Sequence, residues 1–237
     1  MTAEQPPAGP AGAPEDRRRR KAARTRNALA GAALELILER GLAGTTVEAI
    51  AERADVTRRT FSRNFTGKED AALDFVRGDG ARINALLRTR PPGEPPLAAY
   101  RRAVRAWLAD RDAPAWRVRP DTRRLLALLD SEPALFAAYE RIRVDAQEES
   151  VRIVAGRLGT DDARDVRPAV VVGAAAGVLT AALRLWARAP GDDDPAADLA
   201  ALVERAYDAL TAEAAQAATG PGTPASGGVG GTAGTDD

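Results

Sequence analysis

The chain has 237 residues, in which 34 lysines and arginines balance 34 aspartates and glutamates. It contains neither cysteine nor histidine, which excludes disulfides, thiolate catalysis, histidine general bases and almost every zinc or haem site. Alanine, leucine and arginine dominate and β-branched runs are nearly absent, so the composition predicts an all-α protein. The basic run at 17–21 is not followed by an uninterrupted apolar core, so we predict no secretory signal and a cytoplasmic location.

The first predicted elements are a leader and a long basic helix. Residues 1–14 are rich in proline, alanine and glycine, and we predict a disordered leader over 1–16. A helix is predicted over about 17–40, because apolar residues recur at helical spacing and Gly41 supplies a stop. Its first turns carry basic side chains that can reach phosphates without reading sequence, namely Arg17, Arg18, Arg19, Arg20, Lys21, Arg24 and Arg26.

Two short helices joined by a three-residue turn are predicted across residues 45–64. Thr45 and Glu48 have the spacing of a capping box for the first helix. Residues 54–56 interrupt the apolar pattern, and Thr57 can cap the second helix. The motif predicted over this stretch is therefore a helix-turn-helix.

The second helix of this motif has two chemically different faces. Phe61 and Phe65 lie four apart and can anchor it. Its other residues are basic or small and hydrogen-bonding, which suits clamping and reading DNA: Arg58, Arg59, Thr60, Ser62, Arg63 and Asn64. Residues 17–68 contain thirteen basic and five acidic side chains. This imbalance predicts a DNA-binding head, although a solvated charged face is the simpler alternative.

The remainder of the chain predicts a helical body. A fourth helix is predicted from Lys68 to about Thr89, linking head to body. Five more helices bring the total to about nine, at 97–110, 121–130, 133–158, 161–188 and 195–217. The predicted domains are a DNA-binding unit at 17–82, a ligand-binding and dimerisation unit at 83–217, and a disordered tail at 218–237.

Residues 169–183 form the most apolar run of the sequence. A membrane-spanning helix needs about 20 apolar residues, and Arg184 and Arg188 end this run too early. Gly173 and Gly177 permit close approach of another helix. We therefore predict a buried or subunit-interface helix and no membrane partner.

The residues that carry a family resemblance lie between about 22 and 75. They are Thr25-Arg26, Ala32-Ala33-Leu34-Glu35-Leu36, Glu39-Arg40-Gly41, Thr45-Thr46-Val47, Ile50-Ala51, Ala54-Asp55-Val56-Thr57, Thr60-Phe61, Phe65 and Lys68-Glu69-Asp70. This pattern resembles the DNA-binding domain of the tetracycline-repressor (TetR) family of bacterial regulators. The resemblance implies an all-helical homodimer with three DNA-binding helices, an inducer-binding C-terminal domain and a four-helix dimer interface built from the last two helices.

The same resemblance assigns roles to individual residues. It implies phosphate contacts from Thr46 and Lys68 and a backbone contact from Asn64. It makes the following residues candidates for the groove: Arg58, Arg59, Thr60, Ser62 and Arg63. The chain departs from the family at Asp55, where the turn usually has glycine, and at Ser62, where an aromatic residue is usual. The DNA sequence bound by relatives is therefore not transferable.

Beyond residue 90 the sequence is similar to a C-terminal domain type of actinobacterial regulators, which implies an effector that is acyl-CoA-like or another apolar or anionic molecule. The candidate ligand-binding residues are Tyr100, Trp107, Trp116, Phe136, Tyr139, Arg143 and Trp186. Each aromatic could instead be an ordinary core residue. Arg105, Arg143 and Arg184 could hold an anionic ligand or form ion pairs.

These observations favour a bacterial transcriptional regulator, cytoplasmic and nucleoid-associated when bound to DNA. We predict a repressor that a small-molecule effector releases from a near-palindromic operator. An enzyme is disfavoured, because only carboxylate chemistry remains to the chain, and no cofactor or metal is predicted. The remaining alternative is a non-specific DNA-organising or interaction module without a ligand response.

Overall fold

The computed structural model describes residues 14–110, 120–189 and 195–219, and within these ranges the chain is helical without strands. The α-helices of the described part are α1 (Pro14–Arg40), α2 (Val47–Arg53), α3 (Arg58–Asn64), α4 (Lys68–Ala72), α5 (Asp74–Arg88), α6 (Pro96–Ala109), α7 (Pro120–Ala127), α8 (Pro133–Leu158), α9 (Arg167–Arg188) and α10 (Pro195–Ala218). One turn of 3-10 helix, Leu128–Asp130, follows α7. The all-α prediction is confirmed.

The first four helices form a small head around the middle of α1. Helix α1 packs against α2 and α4, and α2 packs against α3. Apolar side chains from three of these helices are fully buried between them: Leu29, Leu36, Ile37, Ile50 and Phe61. Burial of this apolar surface stabilises the head and fixes α3 on its outside.

The remaining helices form the body, in which α8 packs against both α5 and α9. Helix α6 packs against α5 and α9, and α10 covers both α9 and α6. The head joins the body directly, because α1 contacts α7 and α4 contacts α8. Helix α5 begins beside the head and continues through the body, so the predicted domain boundary at 82 falls inside a helix.

The cap of α2 lies one residue beyond its predicted position. The side chain of Thr46, not that of Thr45, accepts the N–H of Ala49 at 3.1 Å. Thr45 is buried and donates its hydroxyl to the carbonyl of Gly41 at 2.9 Å. The predicted capping box of Thr45 with Glu48 is therefore wrong, since Thr45 closes the preceding turn.

The predicted fourth helix is two helices. The chain leaves the helical conformation at Leu73, whose φ and ψ are −97° and 13°, so Lys68–Ala72 and Asp74–Arg88 are separate helices. Leu73 is fully buried in the head core, and the turn brings Asp74 within hydrogen-bonding reach of α1. The helical pattern of the sequence continues through Leu73, so it does not indicate a break that arises from packing against other helices.

Two other helix starts differ from the prediction. Helix α1 begins at Pro14, so residues 14–16 of the predicted disordered leader are helical, and residues 1–13 lie outside the described part. Helix α9 begins at Arg167 rather than 161. Asp165 accepts the backbone N–H of Arg167 at 2.9 Å, and Pro168 occupies the first turn. The acidic turn at 161–165 therefore ends in a hydrogen bond between Asp165 and the first helical residue instead of joining the helix.

Helix α9 is long and apolar enough to cross a membrane by length and composition, a test that the core helix of a soluble protein also passes. It packs against α7, α8 and α10. Its other face is exposed and combines glycine with branched apolar residues: Val166, Val170, Gly173, Gly177 and Leu185. Only 33% of its most apolar window is buried within one chain, so a large apolar face is left for another surface.

Candidate nucleic-acid interface and apolar cavity

The turn between α2 and α3 depends on Asp55. Its φ is 52°, in the left-handed region that Asp tolerates better than most residues other than glycine. The N–H of Val56 then donates to the carbonyl of Ala51 at 2.9 Å. Thr57 caps α3 by accepting the N–H of Thr60 at 3.2 Å. The sequence departure at this turn is therefore accommodated by the backbone.

Helix α3 is anchored by phenylalanine and presents arginine to solvent. Phe61 and Phe65 are 2% and 4% exposed, and their ring centroids are 5.8 Å apart. The exposed side of the helix carries Arg58, Arg59, Ser62 and Arg63. A rigid helix with donors on one side can contact phosphates and the acceptors of base edges.

Arg26 holds α3 to the start of α5. Its Nε lies 3.1 Å from both carboxylate oxygens of Asp74, and its NH2 lies 2.6 Å from Oδ1. Its NH1 donates to the carbonyl of Asn64, the last residue of α3, at 2.8 Å. The guanidinium also lies 4.3 Å from the centroid of the Phe65 ring. Arg26 is thus an internal tie, and its predicted projection toward phosphate is wrong.

The arginines of α3 differ in how they are held. Arg58 lies 3.0 Å from Glu48, and both side chains are exposed. Such surface pairs contribute little, so Arg58 can exchange this partner for DNA. Arg59 and Arg63 are exposed and form no ion pair with other residues of the described ranges. These three guanidinium groups are the cations available on α3.

The first part of α1 forms a basic helical arm, defined here as residues 15–24. Every residue of the arm is exposed, so none packs on the rest of the head. Arg19 and Arg20 pair with Glu15 and Asp16 at 2.9 and 3.2 Å, one helical turn away. At 1.5 Å per residue the arm extends roughly 15 Å beyond the head.

An apolar cavity lies in the body between α5, α6, α8 and α9. The space between its wall atoms, open solvent included, is about 650 Å³. Its aromatic walls are Phe75, Tyr100, Trp107 and Tyr139. The other lining residues are Val76, Asp79, Gly80, Ile83, Leu126, Ile142, Arg143, Ala146, Gln147, Ser150, Ala176, Leu179 and Leu183.

The polar groups of the cavity wall are largely paired within the protein. The Nε of Arg143 lies 3.1 and 3.2 Å from the two carboxylate oxygens of Glu140. The indole N–H of Trp107 donates to Asp79 at 3.0 Å. Burial raises the pKa of the Tyr100 hydroxyl, an effect that Ser150 opposes by hydrogen bonding. Tyr100 therefore stays protonated and able to donate.

A buried polar link joins α5 to α8 beside the cavity. Ser150 donates to Asn84 Oδ1 at 2.6 Å, and the amide of Asn84 donates to the carbonyl of Ala146 at 3.0 Å. The two helices approach closely at Gly80, where a Cβ would lie 2.7 Å from that of Ala146. Glycine is therefore required for this crossing, and α5 and α8 are held at a fixed register.

Comparison with known proteins identifies both halves of the chain. Residues 29–72 match the bacterial regulatory proteins of the tetR family, and residues 94–215 match the MftR C-terminal domain of that family. The chain is 37% identical over 198 residues to the HTH-type transcriptional regulator TcmR of Streptomyces glaucescens, covering 83% of this chain and 87% of that protein. The chain belongs to the TetR family. The proteins it matches are transcriptional regulators and not enzymes.

Solved structures of TetR-family regulators are also similar. Thermus thermophilus FadR, a repressor solved in complex with lauroyl-CoA, is 24% identical with a TM-score of 0.48. The match covers 86% of this chain and 100% of that chain. FadR of Bacillus halodurans, a fatty acid degradation regulator, is 17% identical with a TM-score of 0.49, covering 78% of this chain and 94% of that chain.

For a TetR-family head, three predicted DNA contacts are partly engaged within the protein. The ammonium of Lys68 donates to the carbonyls of Leu42 and Thr45 at 2.6 and 2.9 Å, which leaves one N–H for a phosphate. The amide nitrogen of Asn64 donates to Thr60 at 2.8 Å. The hydroxyl of Thr46 accepts a cap hydrogen bond but can still donate outward. Their contacts with DNA remain predictions.

The predicted ligand-binding residues fall into two groups. Tyr100, Trp107, Tyr139 and Arg143 line the cavity. Phe136 is 39% exposed on α8, and Trp186 is fully buried with the guanidinium of Arg123 5.2 Å from its ring. Neither is among the residues that line the cavity, and Trp116 lies outside the described residues.

The predicted anion-holding arginines are all ion-paired. Arg105 pairs with Glu204 on α10, and Arg184 pairs with Asp130 at 2.6 Å. Arg143 pairs with Glu140, as described above. The alternative of ion pairing is therefore the observed arrangement.

Several cavity residues were not among the predicted ones. Phe75, Asp79 and Gly80 come from α5, and Gln147 and Ser150 come from α8. The sequence signal for α5 was its apolar periodicity, which includes Phe75. The polar residues carry no such signal, because their position depends on the register between α5 and α8.

Proposed function

We propose that this TetR-family regulator is a repressor that binds a near-palindromic operator as a homodimer and leaves it when a small molecule occupies the body cavity. The observation that carries this proposal is the course of α5. Its first residue, Asp74, holds Arg26 beneath α3, and its next turns, at Phe75, Val76 and Asp79, line the cavity. One rigid helix thus touches both sites.

The proposed coupling follows from this continuity. A ligand that binds one arrangement of α5 more tightly than another shifts the population toward it. Because Arg26 joins α5 to the carbonyl of Asn64, movement of α5 alters the position of α3. In a dimer, changing the separation of two α3 helices weakens binding to two half-sites at once.

Base reading is assigned to the exposed end of α3. Arginine can donate two hydrogen bonds to guanine O6 and N7, so Arg58 and Arg59 are the proposed base readers. Thr60, Ser62 and Arg63 are proposed to contact the groove or its edge. Phosphate and backbone contacts are assigned to the basic arm and to Thr46, Asn64 and Lys68.

Dimerisation is typical of the family, and the exposed face of α9 supports α9 and α10 as the interface. Val170 is 59% and Leu185 58% exposed, and between them Gly173 and Gly177 have open space around their Cα atoms. Small residues permit close helix approach, and exposed apolar patches mark interaction sites. A four-helix interface of two copies covers this face without a membrane.

Selection of bound sites from random DNA tests the proposal. We expect an enriched near-palindrome whose half-sites are separated by one helical turn or a multiple. A variant lacking both proposed base readers, Arg58→Ala with Arg59→Ala, is the matched control and should enrich no sequence while retaining weak binding. Binding by the unaltered protein without any enriched palindrome would instead indicate a non-specific DNA-organising module.

The proposed location follows from the proposed activity. We place the protein in the bacterial cytoplasm, associated with the nucleoid when bound to DNA. The effector expected from the sequence is an acyl-CoA-like molecule or another apolar or anionic molecule.

A further inference from the structure

A carboxylate lies beside one of the arginines that α3 presents to solvent. Glu48 is in the first turn of α2, and its side chain is 59% exposed. Its Oε1 lies 3.0 Å from NH1 of Arg58, the first residue of α3. Within the described ranges this is the one ion pair that joins α2 to α3, and Arg59 and Arg63 have no such partner there. The exposed side of α3 therefore carries one arginine that is held by a negative charge.

The ion pair with Glu48 leaves Arg58 able to contact a base. The contact uses NH1, whereas Nε and NH2 of Arg58 form no hydrogen bond within the described part of the chain. A guanidinium group carries several N–H donors on more than one edge. A free edge can donate two hydrogen bonds to O6 and N7 of a guanine. Arg58 can therefore keep Glu48 as a partner and contact a guanine at the same time.

The same ion pair makes a phosphate a poorer partner for Arg58 than a base. An exposed ion pair contributes little, so Arg58 can exchange Glu48 for a phosphate. Glu48 then lies unpaired beside that phosphate, and the two negative charges repel each other. The edge of a guanine is uncharged and meets no such repulsion. A recognition surface gains specificity when it penalises the wrong partner, and Glu48 provides such a penalty.

We propose that Glu48 is a specificity-determining residue of this DNA interface, which holds Arg58 for contact with a guanine and disfavours contact of Arg58 with phosphate. Glu48 is a positioning residue, because it acts on the base through Arg58. The inference rests on the proposed reading of bases by α3. It adds that a residue of α2, and not α3 alone, sets the base preference.

Glu48→Gln tests the effect on base preference, because it removes the charge and keeps the length of the side chain. Sites selected from random DNA by the unaltered full chain and by Arg58→Ala identify the base pair that Arg58 reads. At that base pair Glu48→Gln should lower the preference for guanine about fivefold, as expected at the upper end for an exposed ion pair. Glu52→Gln is the matched control, since it removes the same charge from an exposed position one turn along α2. It should leave the preference unchanged.

Two further measurements separate positioning from a general effect of charge. In the Arg58→Ala background, adding Glu48→Gln should change the base preference no further, because residues that act together have non-additive effects. Titration of a random-sequence duplex at several salt concentrations measures binding to phosphate. Glu48→Gln should make the dependence of log affinity on log salt steeper by about 0.9, since one more arginine is then free for a phosphate. Glu52→Gln should leave that slope unchanged.

The inference and the proposed function can fail separately. If the unaltered protein enriches a palindrome and Glu48→Gln enriches the same one with equal preference, Glu48 has no such role and the regulator remains. Equal changes in Glu48→Gln and Glu52→Gln, or an Arg58→Ala variant that relaxes no base pair, also overturn the inference. If the unaltered protein enriches no sequence, the proposed function is wrong, and Glu48 has no base preference to set.

Discussion

At the scale of single residues, Asp55 and Arg59 are exposed residues that differ in what constrains them. Asp55 adopts φ of 52°, which costs an ordinary side chain about 1–2 kcal/mol. Arg59 is exposed and forms no ion pair within the described residues. The first position is constrained by backbone geometry, and the second is available for a partner.

Replacing Asp55 tests the backbone constraint. Asp55→Gly should raise the free energy of unfolding by up to about 1 kcal/mol, because glycine adopts positive φ readily. Asp55→Val should lower it by about 1–2 kcal/mol, because a β-branched side chain is strained there. Urea denaturation measures both changes. Equal effects of the two substitutions would show that side-chain contacts, and not φ, control this turn.

Replacing Arg59 tests base readout. Arg59→Ala should cost about 1–3 kcal/mol of operator binding and relax the preference at one base pair. Binding titrations against operators altered at each position measure this, with the exposed Arg164→Ala in the α8–α9 loop as the control. A uniform loss on all sequences with a shallower salt dependence would assign Arg59 to phosphate instead.

At the scale of helices, the connections between α1, α3 and α5 depend on one charged group. Arg26 and Asp74 are partly buried, with side-chain exposures of 31% and 15%. Hydrogen bonds to charged groups contribute more than neutral ones, and an unpaired partner left behind is costly. This contrasts with the exposed pair of Arg19 and Glu15 on the basic arm.

The variant Asp74→Asn should therefore lower the free energy of unfolding by about 2 kcal/mol and weaken operator binding. Loss of the carboxylate leaves the Arg26 guanidinium without its bidentate partner beneath α3. Thermal unfolding and DNA titration measure the two effects. Arg19→Ala is the control and should not change stability. Unaltered DNA affinity in Asp74→Asn would argue against this connection positioning α3.

The ion pairs between α6 and α10 should make the free energy of unfolding depend on pH in the acidic range. Hydrogen bonds from Arg105 and then Arg101 lower the pKa of Glu204 to about 2 from 4.5. A carboxyl whose pKa is lower in the folded chain than in the unfolded chain stabilises the fold above the unfolded value, and this contribution is lost as the pH falls through the folded value. This stabilisation should therefore be lost as the pH falls from about 4.5 to about 2.

Glu204→Gln tests that dependence. At neutral pH it should lower the free energy of unfolding by about 1 kcal/mol, the upper end for a surface ion pair, because the Glu204 side chain is only 28% exposed. Across the acidic range its stability should fall less steeply than that of the unaltered protein. Urea unfolding at a series of pH values measures both slopes, and parallel curves would contradict the assigned role.

The helices also show what the sequence could and could not predict. The start and end of α8 were predicted at Pro133 and Leu158, because proline and glycine mark them locally. The break at Leu73 was missed, because it arises from packing against other helices and the helical pattern continues through it. Tyr100 and Trp107 were predicted as pocket residues by type, whereas Gln147 requires knowledge of how α8 faces α5.

At the scale of the whole molecule, the apolar face of α9 determines how the chain assembles. Val170→Asp places a carboxylate on that face, and its burial in an interface of two copies is costly. We expect the dimer dissociation constant to rise more than about tenfold, measured by sedimentation velocity. Val144→Asp, at a 43% exposed position on α8, is the matched control and should remain dimeric. Equal behaviour of the two variants would place the interface elsewhere.

The basic arm has a practical consequence for handling the protein. It contains six of the residues after which trypsin cleaves, all of them exposed: Arg17, Arg18, Arg19, Arg20, Lys21 and Arg24. Unsupported helix ends open at little free-energy cost. Limited digestion should therefore remove the arm first and leave a core of nearly full mass that still folds and dimerises. Preparations nicked in this way would keep their base preference while binding with a weaker dependence on salt, so intact mass should be verified before affinities are compared.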